Sequence, residues 1–277
     1  MSDVRTLPDP AASTPPALPL RRVLPGFVLD VVLAVTLSFS TLMLGLFGWA
    51  AWRGVQLAQQ SGGVLDAATV QSRLGTPPVL FLIVMTLVGT GGTALVLYLW
   101  RRRATPTERR ASIDRLRLPR TWGWALAAGL ATFLFSTLMS AGGRALGLDL
   151  QPSNLDLIKD GFARFPVFLT LFAVVLAPLY EELLFRRVLF GRLWKAGWPV
   201  LGLILSSLVF ALVHELPGLN GKPADSTLFL ILVYTGMGGI FAWVYRRTGT
   251  LWAAIAAHIL NNAIALAVMQ VYGDVPA

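Results

Sequence analysis

Seven long apolar stretches narrow the ways in which this chain can fold. Most have the length of a membrane-crossing helix, which needs about 20 residues at a rise of about 1.5 Å each. No water is present inside a bilayer to satisfy the backbone, so helices are the expected form. The sequence therefore predicts an all-α, polytopic transmembrane helical bundle of about seven spans. The stretches cover residues 25–52, 78–100, 121–143, 166–190, 198–214, 227–245 and 250–272.

The charged residues are few and unevenly placed. They make up 13% of the chain, against about 25% in an average soluble domain. The net charge of +9 would suit nucleic acid or acidic lipid, but no nucleic-acid motif accompanies it. The basic residues instead cluster at span ends, notably in residues 101–120 and in the turn near 186–197, as cytoplasmic loops do. We therefore expect membrane lipid as a partner, no nucleic acid, a cytoplasmic N-terminus and an outside C-terminus.

The first residues differ from the rest of the chain. Residues 1–20 are rich in Pro and Ala and predict a disordered cytoplasmic tail, whereas residues 21–277 are expected to form a single transmembrane domain. The chain has no cysteine, which excludes disulfides, a thiol nucleophile and thiolate metal ligands. Its preference for Arg over Lys and its many alanines hint at a bacterial plasma membrane.

Polar side chains inside the predicted spans are the strongest indication of function. A charged residue at the centre of a span costs about 2.5–3.5 kcal/mol on translocon scales, so such residues tend to be functional. The fourth and fifth predicted spans are antiparallel and turn near Gly197. Glu181 and His214 are almost equally far from this turn along the chain, so they should lie at nearly the same depth. His258 and Asn262 share one face of the last span because they are four residues apart. Asn261 lies about 100° around that helix from Asn262 and is a weaker candidate.

Three motifs occur in order in this region. They are EExxxR at residues 181–186, FxxxH at 210–214 and HxxxN at 258–262. Together they resemble the CPBP family of intramembrane proteases, also called the CAAX-protease and bacteriocin-processing, or Abi, family. The resemblance covers roughly residues 165–265, the last four spans. It implies a CAAX-protease-like core and an endopeptidase that hydrolyses a peptide bond of a membrane-associated peptide or lipidated protein.

The resemblance also implies a role for each main motif residue. Glu181 would be the general base that activates water, and His214 would bind or polarise that water. His258 and Asn262 would stabilise the oxyanion of the tetrahedral intermediate. These roles agree with the chemistry of the side chains, since a buried carboxylate can act as a base and aimed donors stabilise an oxyanion.

The remaining motif residues and the cofactor are less defined. Glu182 is grouped with the catalytic residues, with Arg186 as its expected partner and Phe210 as a second supporting residue. The family includes both metalloproteases and metal-free glutamate proteases. Glu181, His214 and His258 could bind a divalent metal such as zinc, with water as the fourth ligand. Neutral imidazoles could equally hydrogen-bond the water directly, so the site is expected to be able to bind a divalent metal, as in a metalloprotease, without necessarily requiring one.

Two other functions fit the same composition. A non-proteolytic membrane scaffold, or an immunity or regulatory protein, could use this fold for binding. A transporter could relay protons through the buried acids, but no paired broken spans support this. The three motifs favour the peptidase. Oligomeric state is not encoded in any pattern we recognise.

Two further residues carry expectations of their own. Pro178 precedes the glutamate pair and should free a backbone carbonyl and kink its span. This could be ordinary membrane-helix packing or could open space beside Glu181. Asp30 has no partner visible in the sequence and lies near the end of the first span, so we expect it to snorkel to the interface.

Overall fold

A computed structural model describes residues 17–62, 66–218 and 221–273 of the chain. These residues form helices and turns and contain no strand. The helices are α1 (Leu20–Gln60), α2 (Ala67–Leu74), α3 (Val79–Arg101), α4 (Pro106–Leu116), α5 (Pro119–Ala145), α6 (Leu155–Arg164), α7 (Pro166–Lys195), α8 (Pro199–His214), α9 (Ala224–Thr248) and α10 (Leu251–Tyr272). The prediction of an all-α, polytopic helical bundle is confirmed.

Six of these helices are long and apolar enough to cross a membrane, namely α1, α3, α5, α7, α9 and α10. The predicted fifth span corresponds to α8, which has only 16 residues. At a rise of 1.5 Å per residue it measures about 24 Å, less than the hydrocarbon core of about 30 Å. The count of seven spans is therefore not confirmed, because α8 is too short by length alone.

The predicted tail differs from the structure at its last residues. Residues 1–16 lie outside the described part of the chain. Residues 17–20 are not a tail, because the Leu18 N–H donates to the Ala196 carbonyl at 3.0 Å and the Trp198 indole donates to the Leu18 carbonyl at 2.8 Å. Helix α1 then begins at Leu20. The Pro- and Ala-rich composition gave no sign of these contacts with a turn almost 180 residues away.

Helix α9 packs against α5, α8 and α10, and these contacts position the later motifs. Small residues let the helices approach closely. A Cβ built on Gly129 of α5 would stand 2.8 Å from the carbonyl oxygen of Ala257 in α10. A Cβ on Gly238 of α9 would likewise stand 3.0 Å from the Ser207 side chain in α8. The close approach at Ala257 holds α10 in place immediately beside His258.

Asp30 does not snorkel; it is fully buried and paired. Its carboxylate bonds to Arg101 of α3 and to Arg192 of α7, with 2.6 Å between Arg192 Nε and Asp30 Oδ2. Arg102 Nε lies 3.7 Å from the same oxygen. The prediction that Asp30 snorkels to the interface is wrong, because the basic partners of Asp30 lie on other helices, 71 and 162 residues away in the sequence. This cluster joins α1 and α3, which carry none of the three motifs, to α7.

Substituting Asp30→Asn should lower the free energy of unfolding by about 3–5 kcal/mol, because two buried or half-buried guanidinium groups would lose their counter-charge. Thermal or denaturant unfolding in detergent measures the loss. The matched control is Asp114→Asn, whose exposed pair with Arg117 spans 3.9 Å and should contribute less than about 1 kcal/mol. Equal losses in the two variants would contradict this assignment.

A second carboxylate fixes α4 against α7. Glu108 forms a capping box with Thr105, in which each backbone N–H donates to the other residue's side chain, at 3.0 and 3.2 Å. The same carboxylate accepts from Arg187, at 2.6 Å, and from Lys195. Burial alone would raise the pKa of Glu108, but the hydrogen bonds from Arg187, Lys195 and Thr105 outweigh it and lower the pKa from 4.5 to about 2.

The lowered pKa makes part of the protein's stability depend on pH. Ionised Glu108 stabilises the folded state fully above pH 4.5. This contribution is lost as the pH falls through the window from 4.5 to about 2. The Glu108→Gln variant keeps the capping-box geometry but has no charge to titrate. Its unfolding free energy in detergent should therefore change less across this window than that of the wild type. Parallel pH curves would refute the role of the ion pairs.

Candidate active site

The glutamate pair lies where α7 changes its winding. Residues Glu182–Phe190 are π-helical, and a shorter π-helical turn covers Phe172–Leu176. Such turns are rare and often occur at functional sites. Glu182 is fully enclosed by protein, whereas Glu181 keeps 14% of its side chain accessible. The two adjacent carboxylates therefore occupy different environments.

Glu182 is held between two basic groups. Its Oε2 lies 3.1 Å from Arg186 Nε, and its Oε1 lies 2.9 Å from His258 Nδ1. Arg186 is itself fully buried, donates to the Gly238 carbonyl at 3.1 Å, and stands 4.7 Å from the centre of the Phe210 ring. The predicted pairing of Glu182 with Arg186 is present, and Phe210 supports the guanidinium through a cation–π contact.

His258 bridges the two glutamates. A carboxylate can only accept, so the 2.9 Å contact with Glu182 places a proton on His258 Nδ1. The other ring nitrogen, Nε2, lies 3.8 Å from Glu181 Oε2. The imidazole is stacked on the Phe241 ring, with 4.5 Å between centres and 18° between planes. The ring is thus fixed with Nε2 directed at the more accessible glutamate.

His214 reaches this group through an aromatic neighbour. It is the last residue of α8, and its Nδ1 lies 2.8 Å from the Phe210 carbonyl. A carbonyl can only accept, so Nδ1 carries a proton and, in the neutral ring, Nε2 keeps its lone pair. The Phe210 ring lies 4.3 Å from the His214 ring and 6.1 Å from the His258 ring. Phe210 therefore contacts both histidines and the arginine.

Asn262 faces α7, as its spacing from His258 predicts. Its Nδ2 donates to the carbonyl of Ala173 at 2.9 Å. Its Oδ1 accepts from Asn261 Nδ2 at 3.0 Å. Asn261 is buried, and its side chain contacts Asn262 even though it leaves the helix on another face. Both polar ends of the Asn262 amide are thus engaged.

The expected metal ligands do not assemble into a binding site. The described residues contain no group of three or more His, Asp or Glu side chains that could hold a metal ion. Glu181 and His258 lie close together, but His258 uses Nδ1 on Glu182, and His214 stands at the end of α8 beside Phe210. The three side chains suggested as zinc ligands therefore do not fit a shared metal in this arrangement.

Helix α9 contributes residues that the sequence analysis missed. Tyr234 is stacked on His214, with 4.8 Å between ring centres, Gly238 accepts from Arg186, and Phe241 is stacked on His258. These three residues are spaced four and three apart, so they share one helical face. This spacing is the sequence signal that could have identified the three residues. It was not sufficient, because the sequence does not say which face of α9 is turned toward the motifs.

A buried carboxylate also lies directly after His214. Glu215 is fully buried, accepts from the Ser153 backbone N–H at 2.7 Å, and pairs with Lys222 at 3.2 Å. His214 and Glu215 match the first two residues of the zinc-protease motif HExxH, but Gly218 stands where the motif requires its second histidine. The motif is therefore absent. In the structure Glu215 instead fastens the segment before α6 to the end of α8.

Comparison with known proteins assigns the chain to a family. A family model described as type II CAAX prenyl endopeptidase Rce1-like matches residues 163–264. YdiL of Bacillus subtilis (strain 168), a candidate membrane peptidase, is 32% identical over 181 residues, which cover 64% of this chain and 67% of YdiL. The chain belongs to the CAAX-protease, or CPBP, family. No solved structure matches it significantly.

A second relative of the CPBP family agrees. The membrane-embedded CAAX protease MroQ of Staphylococcus aureus (strain USA300) is 34% identical over 122 residues, which cover 42% of this chain and 44% of MroQ. The region matched by the family model, 163–264, contains all three motifs and corresponds to the expected core at 165–265. The predicted family is confirmed, and at this level the chain is an integral membrane peptidase.

The two adjacent glutamates should respond differently to the same substitution. Glu182→Gln leaves Arg186 buried without a counter-charge and should lower the free energy of unfolding by about 3–5 kcal/mol. Glu181→Gln removes a charge whose nearest basic group is His258 at 3.8 Å, so stability should stay the same or rise. Thermal unfolding of the two variants in detergent makes the comparison. A larger loss for Glu181→Gln would overturn this division of roles.

Proposed function

We propose that this protein is an intramembrane endopeptidase in which Glu181 activates the water that hydrolyses a peptide bond. The observation that carries the proposal is His258, fixed by Glu182 so that its second nitrogen is directed at Glu181. Glu181 and His258 thus lie side by side, and Asn262 stands one helical turn beyond His258 on the same face of α10. This is the set of groups that general-base hydrolysis with oxyanion stabilisation needs.

The reaction is proposed as follows. The water oxygen attacks the carbonyl carbon while the Glu181 carboxylate takes one water proton. His214 Nε2 accepts a hydrogen bond from the same water. The carbonyl oxygen becomes an oxyanion, which accepts from protonated His258 Nε2 and from Asn262 Nδ2. When the C–N bond breaks, the proton on Glu181 passes to the leaving nitrogen, so that a carboxylic acid and an amine leave and Glu181 is ionised again.

The charges of the site support this assignment. Glu182 and Arg186 neutralise each other in a fully buried pair. A proton on His258 Nε2 would place a donor 3.8 Å from Oε2 of the Glu181 carboxylate. A bare Nε2 facing the Glu181 carboxylate would bring two acceptors together. The proposed mechanism therefore uses the form of His258 in which Nε2 carries a proton.

The substrate and its setting are also proposals. We propose a membrane-associated peptide or lipidated protein as the substrate, cleaved within lipid. Both relatives come from bacteria, which supports a bacterial plasma membrane. The concentration of Arg in and around α4 supports a cytoplasmic N-terminus and an outside C-terminus. Water activation is assigned to Glu181 and His214 without a metal, because the donors do not form a ligand set.

Cleavage by purified protein in liposomes tests the function. The substrates are a panel of synthetic peptides, some with a single apolar span and some with a C-terminal lipid, and mass spectrometry locates the cut. The wild type should cleave at a defined bond, and Glu181→Gln should lower kcat by about 10²–10⁴-fold. Asp160→Asn, at an exposed i,i+4 pair with Arg164, is the control and should match the wild type. Equal cleavage by Glu181→Gln would exclude the mechanism, and no cleavage by the wild type would favour a scaffold.

A further inference from the structure

Pro178 leaves one carbonyl of α7 without a backbone donor. At the end of the π-helical turn Phe172–Leu176, the Ala177 N–H bonds to the Phe172 carbonyl, five residues back. In this register the donor to the next carbonyl, that of Ala173, would be residue 178. Proline has no N–H, so that bond cannot form. The Ala173 carbonyl has lost both of its ordinary helical donors, since Ala177 bonds elsewhere and Pro178 has nothing to donate.

Asn262 of α10 supplies the missing donor. Its Nδ2 lies 2.9 Å from the Ala173 oxygen. Freed carbonyls in membrane helices are commonly satisfied by a neighbouring helix in this way. Ala173 stands eight residues before Glu181 on the same helix. The helix that carries the proposed base therefore also sets the position of the amide on α10.

Asn261 fixes the other end of the same amide. Its Nδ2 donates to Asn262 Oδ1 at 3.0 Å, and Asn261 itself is buried. With Oδ1 accepting from Asn261 and one Nδ2 hydrogen given to Ala173, the amide cannot rotate by half a turn without breaking both bonds. An asparagine amide has two N–H groups, so one hydrogen remains available.

We propose that Pro178 and Asn261 are positioning residues that orient the Asn262 amide for the oxyanion. Proline at 178 keeps the Ala173 carbonyl available, that carbonyl binds the first Nδ2 hydrogen, and Asn261 holds Oδ1. The second Nδ2 hydrogen is then presented as a donor in a fixed direction. A flipped amide would instead present Oδ1, which repels an oxyanion. This inference rests on the proposed function, in which Asn262 is an oxyanion donor.

Only a proline at residue 178 leaves the Ala173 carbonyl without a competing backbone donor. Any other residue would bring an N–H that competes for the Ala173 carbonyl. A carbonyl has two lone pairs and can accept from both donors, so the competition weakens the Asn262 contact without abolishing it. The functional feature of Pro178 is then the carbonyl that it frees.

Kinetics of Pro178→Ala give the first test. In this variant kcat should fall by about tenfold at unchanged KM. In Asn262→Ala, which lacks the amide itself, kcat should fall by about 10²–10³-fold. The thermal stability of Pro178→Ala should equal or exceed that of the wild type, because an interior helix proline is removed and a backbone bond is regained. A purely structural role would move stability and kcat together.

The double variant separates the two explanations of Pro178. In an Asn262→Ala background, adding Pro178→Ala should cause no further loss of kcat, because the group it positions is gone. A wild-type kcat in Pro178→Ala, or the same tenfold drop in the Asn262→Ala background, would overturn the inference. Asn261→Leu, which keeps the bulk of the side chain and removes its donor, should also lower kcat by about tenfold and serves if Pro178→Ala fails to fold.

A spectroscopic measurement makes the test independent of activity. The chain has four asparagines, so selective ¹⁵N-asparagine labelling gives a simple NMR spectrum of side-chain amides. The Asn262 amide signals should shift in Pro178→Ala, whereas those of Asn154 should not. An unmoved Asn262 signal would overturn the inference itself. A shifted signal combined with full activity of Asn262→Ala would instead exclude the oxyanion role in the proposed function.

Discussion

The buried carboxylate of Glu182 is the interaction on which the site depends. It joins Arg186 on its own helix to His258 on α10, and Arg186 continues the connection to the Gly238 backbone of α9. Three helices are thus linked by one acid that does not itself need to react. Removing either partner would strand a charge in a low-dielectric interior, which is strongly destabilising. The contact between Glu182 and His258 therefore both joins two helices and orients the His258 ring.

The basic residues of α7 extend this principle to the rest of the bundle. Arg187 and Lys195 bond to Glu108 of α4, and Arg192 bonds to Asp30 of α1. From the sequence alone, such residues are interpretable only as charges that orient the chain in the membrane. In the structure each of them also finds a carboxylate on another helix. Helices α1 and α4, which lie outside the matched family region, are therefore attached to α7 through basic residues that follow the glutamate pair.

The sequence predicts most of the helices, and several of the polar residues that it singles out, Glu181, Glu182, Arg186 and His258, are in contact in the structure. The apolar runs place the long helices to within a few residues, apart from the first, because a membrane helix satisfies its backbone within its own segment. The spacing of His258 and Asn262 likewise predicts their common face. Contacts between helices are different, because they depend on how each helix is rotated against its neighbours. For this reason the partners of Asp30, the stacking of Tyr234 on His214 and the bond from Asn262 to Ala173 could not be predicted.

The short helix α8 has a consequence for how water reaches a reaction inside lipid. His214 ends α8 while stacked on Tyr234, which lies ten residues inside α9. Helix α9 thus continues for about 15 Å past the level of His214, where Glu215–Gly218 form no helix. Non-helical backbone at such depth requires protein or water around it. Stopping α8 early replaces hydrocarbon with polar groups, such as Glu215 and Lys222, beside the histidine. Within the proposed function, a polar segment rather than a further apolar turn of α8 therefore lies between His214 and this end of the bundle, and water would reach the histidine along it.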